Sequence, residues 1–206
     1  MNRPQRFTGA RLRAPIPSPA FTRAHHYLTD CYLPMIHKLV ALRREQGSGI
    51  VIAFTSISRG EGVSYVVDSL AWHLAQHTGD SILLTNFGGL ASAGTAEFWE
   101  PQSIQRLTQH HPRSQRAQQP SWETVQDLRS RFGFVLVDCP ALRESAGVLS
   151  LSQVCDGVVL VVAAGEAKPE EIGFAQKTLA AASSNLLGLV LNKRTNPIPR
   201  LFSKFV

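Results

Sequence analysis

The chain is poor in cysteine, in long apolar runs, in tyrosine and in acidic residues, and each shortage excludes something. Its three cysteines, Cys31, Cys139 and Cys155, are odd in number and widely spaced. They make neither a disulfide framework nor a C-x-x-C metal site, and read as reduced thiols. No apolar stretch approaches the roughly 18 uncharged residues that a membrane span needs, so the chain reads as soluble or at most peripheral. The opening "MNRPQRFTGARLRAPIPSP" has arginines but no apolar core leading to a small-residue cleavage site. That argues against a secretory signal and for a cytoplasmic protein. Acidic side chains number 15 against 21 Lys and Arg, a net charge of +6, which points to an anionic partner such as a lipid surface, a nucleic acid or an acidic protein face.

The basic residues are unevenly placed. Arg3, Arg6, Arg11, Arg13 and Arg23 all precede the first acidic residue, Asp30, in a segment that also holds Pro4, Pro15, Pro17 and Pro19. Residues 1–24 therefore read as a disordered basic arm, either a solvated tail or an electrostatic tether. Residues 25–194 read as one α/β domain, a size that buries a sizeable core. Residues 195–206 form a basic tail in which Leu201, Phe202 and Phe205 lie beside Arg200 and Lys204. Two readings stand for this tail: an amphipathic segment for a membrane surface or partner groove, or a segment folded onto its own sheet. The polar stretch 109–121 reads as a loop, with His110 and His111 on the surface rather than ligating metal.

Within the domain, five short runs are almost continuous in Val, Ile, Leu and Phe: 49–56, 81–87, 132–138, 156–165 and 185–193. Strands buried on both faces have this composition. Between them, Val67, Leu70, Ala71 and Leu74, then Val125 and Leu128, then Ile172, Ala175, Leu179 and Ala182 recur at helical spacing. The alternation predicts a doubly wound, mostly parallel sheet covered by helices. In such sheets ligands bind beyond the carboxyl ends of the strands. After the first run comes "SISRGEGVS", where Gly60 and Gly62 permit a tight curl of amide groups leading into a helix N-terminus. Ser64 opens that helix at the position of a magnesium-binding hydroxyl, and Asp138 ends the third run, where a carboxylate holds Mg²⁺ or its water shell.

On these residues the stretch from about 48 to 194 resembles the MinD-like P-loop ATPases, and within them the bacterial tyrosine kinases (BY-kinases) and related proteins of capsule and exopolysaccharide systems. The kinases' loop S-x-x-P-G-E-G-K-[ST]-[ST] stands against "SISRGEGVSY" here, and their I-I-D-x-P-P against "LVDCPA". "VCDGVVLVVAAGEAKPEEI" and "LLGLVLNK" are similar to their later strands. The resemblance implies a P-loop fold and a nucleotide site at Arg59, Gly60, Glu61, Gly62, Ser64 and Asp138. It also implies Asn192 near the adenine and Ser64 with Asp138 on the metal.

The departures from that pattern fall on the chemistry. Val63 replaces the lysine that reaches the phosphates, Arg59 replaces a proline, and Asn86 and Gly88 stand where a D-x-D pair is expected. The only tyrosines are Tyr27, Tyr32 and Tyr65, so the C-terminal tyrosine cluster is missing. One lost preorganised donor commonly costs about 10² to 10³ in rate, whereas backbone amides still bind anions. The expectation is a degenerate, noncatalytic BY-kinase relative, with ATP or ADP and Mg²⁺ bound weakly or not at all. Its expected partner is a membrane polysaccharide synthesis or export protein, with an anionic membrane surface and homo- or hetero-oligomers as further candidates. Kinase-type ring assembly is not expected, because the E-x-x-R-x-x-R pattern is not evident and Pro34 interrupts the helix before the first strand. The main rival is an active ATPase or tyrosine autokinase in which Arg59 swings in to replace the lysine. The other, a ParA-like DNA-associated ATPase, lacks any groove-reading motif, so nucleic acid is not an expected partner.

Overall fold

The computed structural model describes residues 19–92, 104–107 and 121–193. The arm up to residue 18, the His110–His111 stretch and the tail from 194 onward lie outside them. Numbered in chain order, the strands are β1 (Ile50–Ser56), β2 (Ile82–Asn86), β3 (Ile104–Leu107), β4 (Phe134–Asp138), β5 (Gly157–Ala163) and β6 (Leu186–Asn192). They form one sheet in the order β3-β2-β4-β1-β5-β6, every neighbouring pair parallel. The central strands β1 and β5 are buried along their whole length, which is why their sequence shows no polar alternation.

The helices are α1 (Pro19–Gln46), α2 (Val63–Thr78), α3 (Phe87–Ser92), α4 (Trp122–Arg131), α5 (Gly147–Leu151) and α6 (Pro169–Ala181). Ile50, Ile52 and Phe54 point to one face of the sheet, where they share a core with Ile36 and Leu39 of α1 and Leu70 and Leu74 of α2. Val51 and Ala53 point to the other, with Val125 and Leu128 of α4 and Val148 and Leu151 of α5. Each such fully buried aliphatic side chain contributes about 1.5–3 kcal/mol, so two-sided burial fixes the strand register firmly.

One expectation about the first helix is corrected: it spans Pro19–Gln46 and runs without a break through Pro34. Pro34 lies on the exposed face, where water can satisfy the carbonyl left without its N–H partner. Buried Tyr32, Ile36 and Leu39 hold the helix to the sheet on either side of it.

The amino-terminal edge of the sheet is closed by one carboxylate. Asp156 accepts the N–H of Val51 at 2.7 Å through one oxygen and the Arg129 guanidinium at 2.9 Å through the other. This pairing pins the start of β1 between α4 and β5, and leaves the opposite, carboxyl-terminal edge to form loops.

Candidate functional site

The loop after β1, residues 57–62, is curled by two left-handed glycines, Gly60 with φ 87° and Gly62 with φ 90°. Gly62 is also the N-cap of α2 and offers no side chain to it, so the first amides of that helix face the loop. At Gly62 the need for glycine is also steric, because an added Cβ would meet the Asn192 amide nitrogen at 2.2 Å.

Two side chains brace the curl from behind. Glu61 is only 4% exposed. Its carboxylate turns inward, accepting the Ser58 N–H at 2.7 Å and the N–H of Ala163, at the end of β5, at 3.1 Å. Asn192, the last residue of β6, donates from its side-chain amide to the Glu61 carbonyl at 2.8 Å. Both were singled out in the sequence as nucleotide contacts. The structure engages the side chain of each in holding the loop.

The Ser64 hydroxyl, in the first turn of α2, donates to the Asp138 carboxylate at the end of β4. These two residues, 74 positions apart, are thus brought together at the loop's edge as the motif spacing predicts. A hydroxyl and a carboxylate placed together in this way are oxygen donors that would suit a hard cation such as Mg²⁺. The residues fit a magnesium-bound phosphate chain with one charge missing. Val63, at the lysine position, is 8% exposed and belongs to the core cluster shared with α1 and the sheet. Arg59 is exposed on the loop.

At the end of β2, Asn86 accepts the Gly89 N–H at 2.7 Å and so fastens the turn into α3. Asn86 lies directly across from Asp138 in the sheet register. Its carboxamide performs this turn function as well as a carboxylate would, but supplies no negative charge.

Sequence reasoning missed a second cation at the loop. The segment after β4 stays bonded to the loop, with Leu142 donating its N–H to Ser56 at 2.8 Å and Arg143 donating to Ile57 at 3.3 Å. The Arg143 guanidinium donates to the Ser58 hydroxyl at 3.1 Å and to Glu171 of α6 at 2.8 Å. Glu171 also accepts the Lys168 N–H at 3.1 Å. That bond first, and Arg143 second, hold its carboxyl below the usual carboxylate range. The available signal was position: Arg143 follows Asp138 by five residues, at the sheet edge where ligands bind.

Comparison with known proteins agrees with this geometry. No family model matches the chain. The tyrosine-protein kinase CpsD of Streptococcus pneumoniae serotype 4 is 26% identical over 171 residues, covering 69% of this chain and 75% of that one. The tyrosine-protein kinase YwqD of Bacillus subtilis is 26% identical over 170 residues, covering 68% and 71%. Among solved structures, the VpsO kinase domain superposes with a TM-score of 0.67 at 20% identity, covering 84% of this chain and 98% of that one. The chain is thus similar in sequence to bacterial tyrosine kinases, and it shares its fold with the kinase domain on which it superposes. The parallel sheet flanked by helices is that shared fold, of P-loop ATPase type.

Proposed function

We propose that this protein is a regulatory or scaffolding partner in a bacterial exopolysaccharide biosynthesis or export complex, a kinase relative that does not transfer phosphate. The observation that carries the reading is the pairing of a formed loop with a core-packed Val63. Gly60, Gly62, Glu61 and Asn192 keep the curl, while the position that should supply the phosphate-neutralising ammonium carries buried methyl groups. Phosphoryl transfer depends on positioning and on neutralising spread charge. A loop without its lysine, beside a strand end that carries Asn86 and Gly88 in place of carboxylates, retains the first and loses much of the second.

ATP or ADP with Mg²⁺ would bind here through the loop amides, Ser64 and Asp138. When bound, the metal would supply positive charge against the phosphates. With about 3 kcal/mol removed from a micromolar site, the dissociation constant would be roughly 100 μM or poorer. On this reading the partner is a membrane polysaccharide synthesis or export protein, and the basic arm and tail supply the tether to it or to the anionic membrane surface. Among the described residues no helix is long and apolar enough to cross a membrane.

The test is ATP hydrolysis and autophosphorylation by the native chain, by Val63→Lys and by Asp138→Ala. The expected result is background activity in the native protein. Robust native turnover abolished by Asp138→Ala would replace this reading with the second one, an active ATPase or autokinase of the same family, for which the intact Ser64–Asp138 pair is the supporting feature.

A further inference from the structure

We infer that Arg143 is a phosphate-binding residue of the loop, a cation moved from position 63 to the segment after β4, and that Glu171 competes with the anion for it. This rests on the reading of the loop as a phosphate site and goes on to say which residue carries the charge and what restrains it. The ligand class is a phosphate chain, whether of a nucleotide or of free pyrophosphate.

Arg143 is held at the loop twice over. Its backbone N–H bonds to Ile57, where the loop leaves β1, and its guanidinium bonds to Ser58 one residue further on. Ser58 in turn donates its N–H to Glu61, so Arg143 grips the rim of the curl itself. Arg59 is the neighbouring charge and, like Arg143, is exposed, but it is borne by the loop itself. Arg143 arrives from another strand end and so meets the rim from outside the loop. A guanidinium has five donors in a planar fork and remains charged at every working pH, so it binds phosphate oxygens while keeping a neighbour.

Arg143 is meanwhile paired with Glu171. The side chains are 59% and 30% exposed, and an ion pair in that setting is a weak tie that a polyphosphate can displace. Glu171 keeps a second bond, to the Lys168 N–H, so it has a place to stay when Arg143 leaves. The contact therefore has two arrangements: Arg143 on Glu171 with the loop empty, and Arg143 on phosphate with Glu171 capping α6 alone.

The experiment measures binding of ATP and of inorganic pyrophosphate, each with Mg²⁺, by calorimetry. The proteins are the native chain, Arg143→Gln, Glu171→Gln and Arg59→Gln, each also in a Val63→Lys background with folding checked by circular dichroism. Loss of one charge-assisted contact predicts binding about tenfold weaker in Arg143→Gln for both ligands. Glu171→Gln should bind both ligands more tightly than the native chain. That opposition is the diagnostic, because a clasp that merely held the loop in shape would weaken binding in both variants. Weakening in both, a loss confined to ATP, or a loss in Arg59→Gln without one in Arg143→Gln would each overturn the assignment. If Val63→Lys binds both ligands equally well with and without Arg143, the assignment fails while the loop remains a phosphate site. If no folded variant binds either ligand, the phosphate-site reading fails and takes the assignment with it.

Discussion

The carboxylate of Glu61 reaches from the loop after β1 to the last residue of β5, accepting the Ala163 N–H at 3.1 Å while its other oxygen holds the Ser58 N–H. A side chain in the middle of an anion-binding motif is thus turned into the protein, where it ties two strand ends together. The loop's curl is braced from behind by this acceptor of its own.

Glu61→Ala should strip two N–H groups of their acceptor in a buried setting, one of them the fully buried end of β5. The expected destabilisation is about 2–3 kcal/mol. Glu61→Gln keeps the shape but sets an NH₂ group against one of the two donors, and should fall between native and alanine. Urea denaturation followed by far-ultraviolet circular dichroism measures both. A Glu61→Ala protein as stable as the native one would mean that the loop is not braced in this way.

Gly62 and Asn192 should be energetically coupled. Gly62→Ala places a methyl group against the Asn192 amide and forces a non-glycine residue to φ 90°, at a cost of about 1–3 kcal/mol. Asn192→Ala removes the obstacle but also the bond to the Glu61 carbonyl. The double variant should therefore be less destabilised than the sum of the single ones, with the dihedral cost remaining. A double-mutant cycle reads the difference, and strict additivity would count against the contact.

The two described cysteines should be slow to react. Burial pushes the Cys155 thiol up to about 11, and Cys139, buried at the end of β4, is also raised well above its usual value by burial first and nearby charge second. At pH 8 only about one Cys155 in a thousand is then thiolate. Iodoacetamide followed by peptide mass mapping should find both residues unmodified in native protein and modified in urea, with Cys155 labelling faster as pH rises toward 11. Rapid native labelling of Cys139 would reveal opening at the very strand end that presents Asp138.

The start of α6 should weaken in acid. Glu171 is held below its ordinary carboxylate value in the folded chain, by the Lys168 N–H and then by Arg143. Its contribution is therefore present above the usual carboxylate pKa of about 4.5, and is lost as pH falls below that through the folded value. Because the group is solvent-exposed the effect on global stability is small. Amide exchange at Lys168 and in the first turn of α6 is the suitable readout. It should speed up below pH 4.5, once corrected for intrinsic rates, in the native chain but not in Glu171→Gln.

The strongest periodic signals in the sequence were also the most faithful. All five apolar runs are strands, and Val67, Leu70, Ala71, Leu74, Val125, Leu128, Ala175 and Leu179 are buried as their helical spacing required. The missed strand, β3, consists of Ile104, Gln105, Arg106 and Leu107 at the sheet edge, where one-sided pairing leaves no need for an apolar run. Pro34 misled because a proline weighs against a helix locally, whereas tertiary burial of its neighbours decides. Within the site, the sequence marked Ser64 and Asp138 as a pair and they meet. It said nothing of Arg143, because a lone arginine carries no motif and its contacts, with Ser58 of the loop after β1 and Glu171 in the first turn of α6, come from residues distant in sequence.

The Val63 side chain is part of the core that α1, α2 and the sheet share, so the position contributes to cohesion inward. A lysine placed there would arrive with a deficit of about 1–3 kcal/mol from lost packing, large against the 5–15 kcal/mol by which a typical domain is stable. The packing thus weighs against a lysine at this position, since the ammonium would come only in a weakened protein, whereas a cation from a neighbouring segment asks nothing of the core. A search for phosphate-handling relatives keyed to the lysine alone would accordingly pass over chains that carry the charge outside the motif.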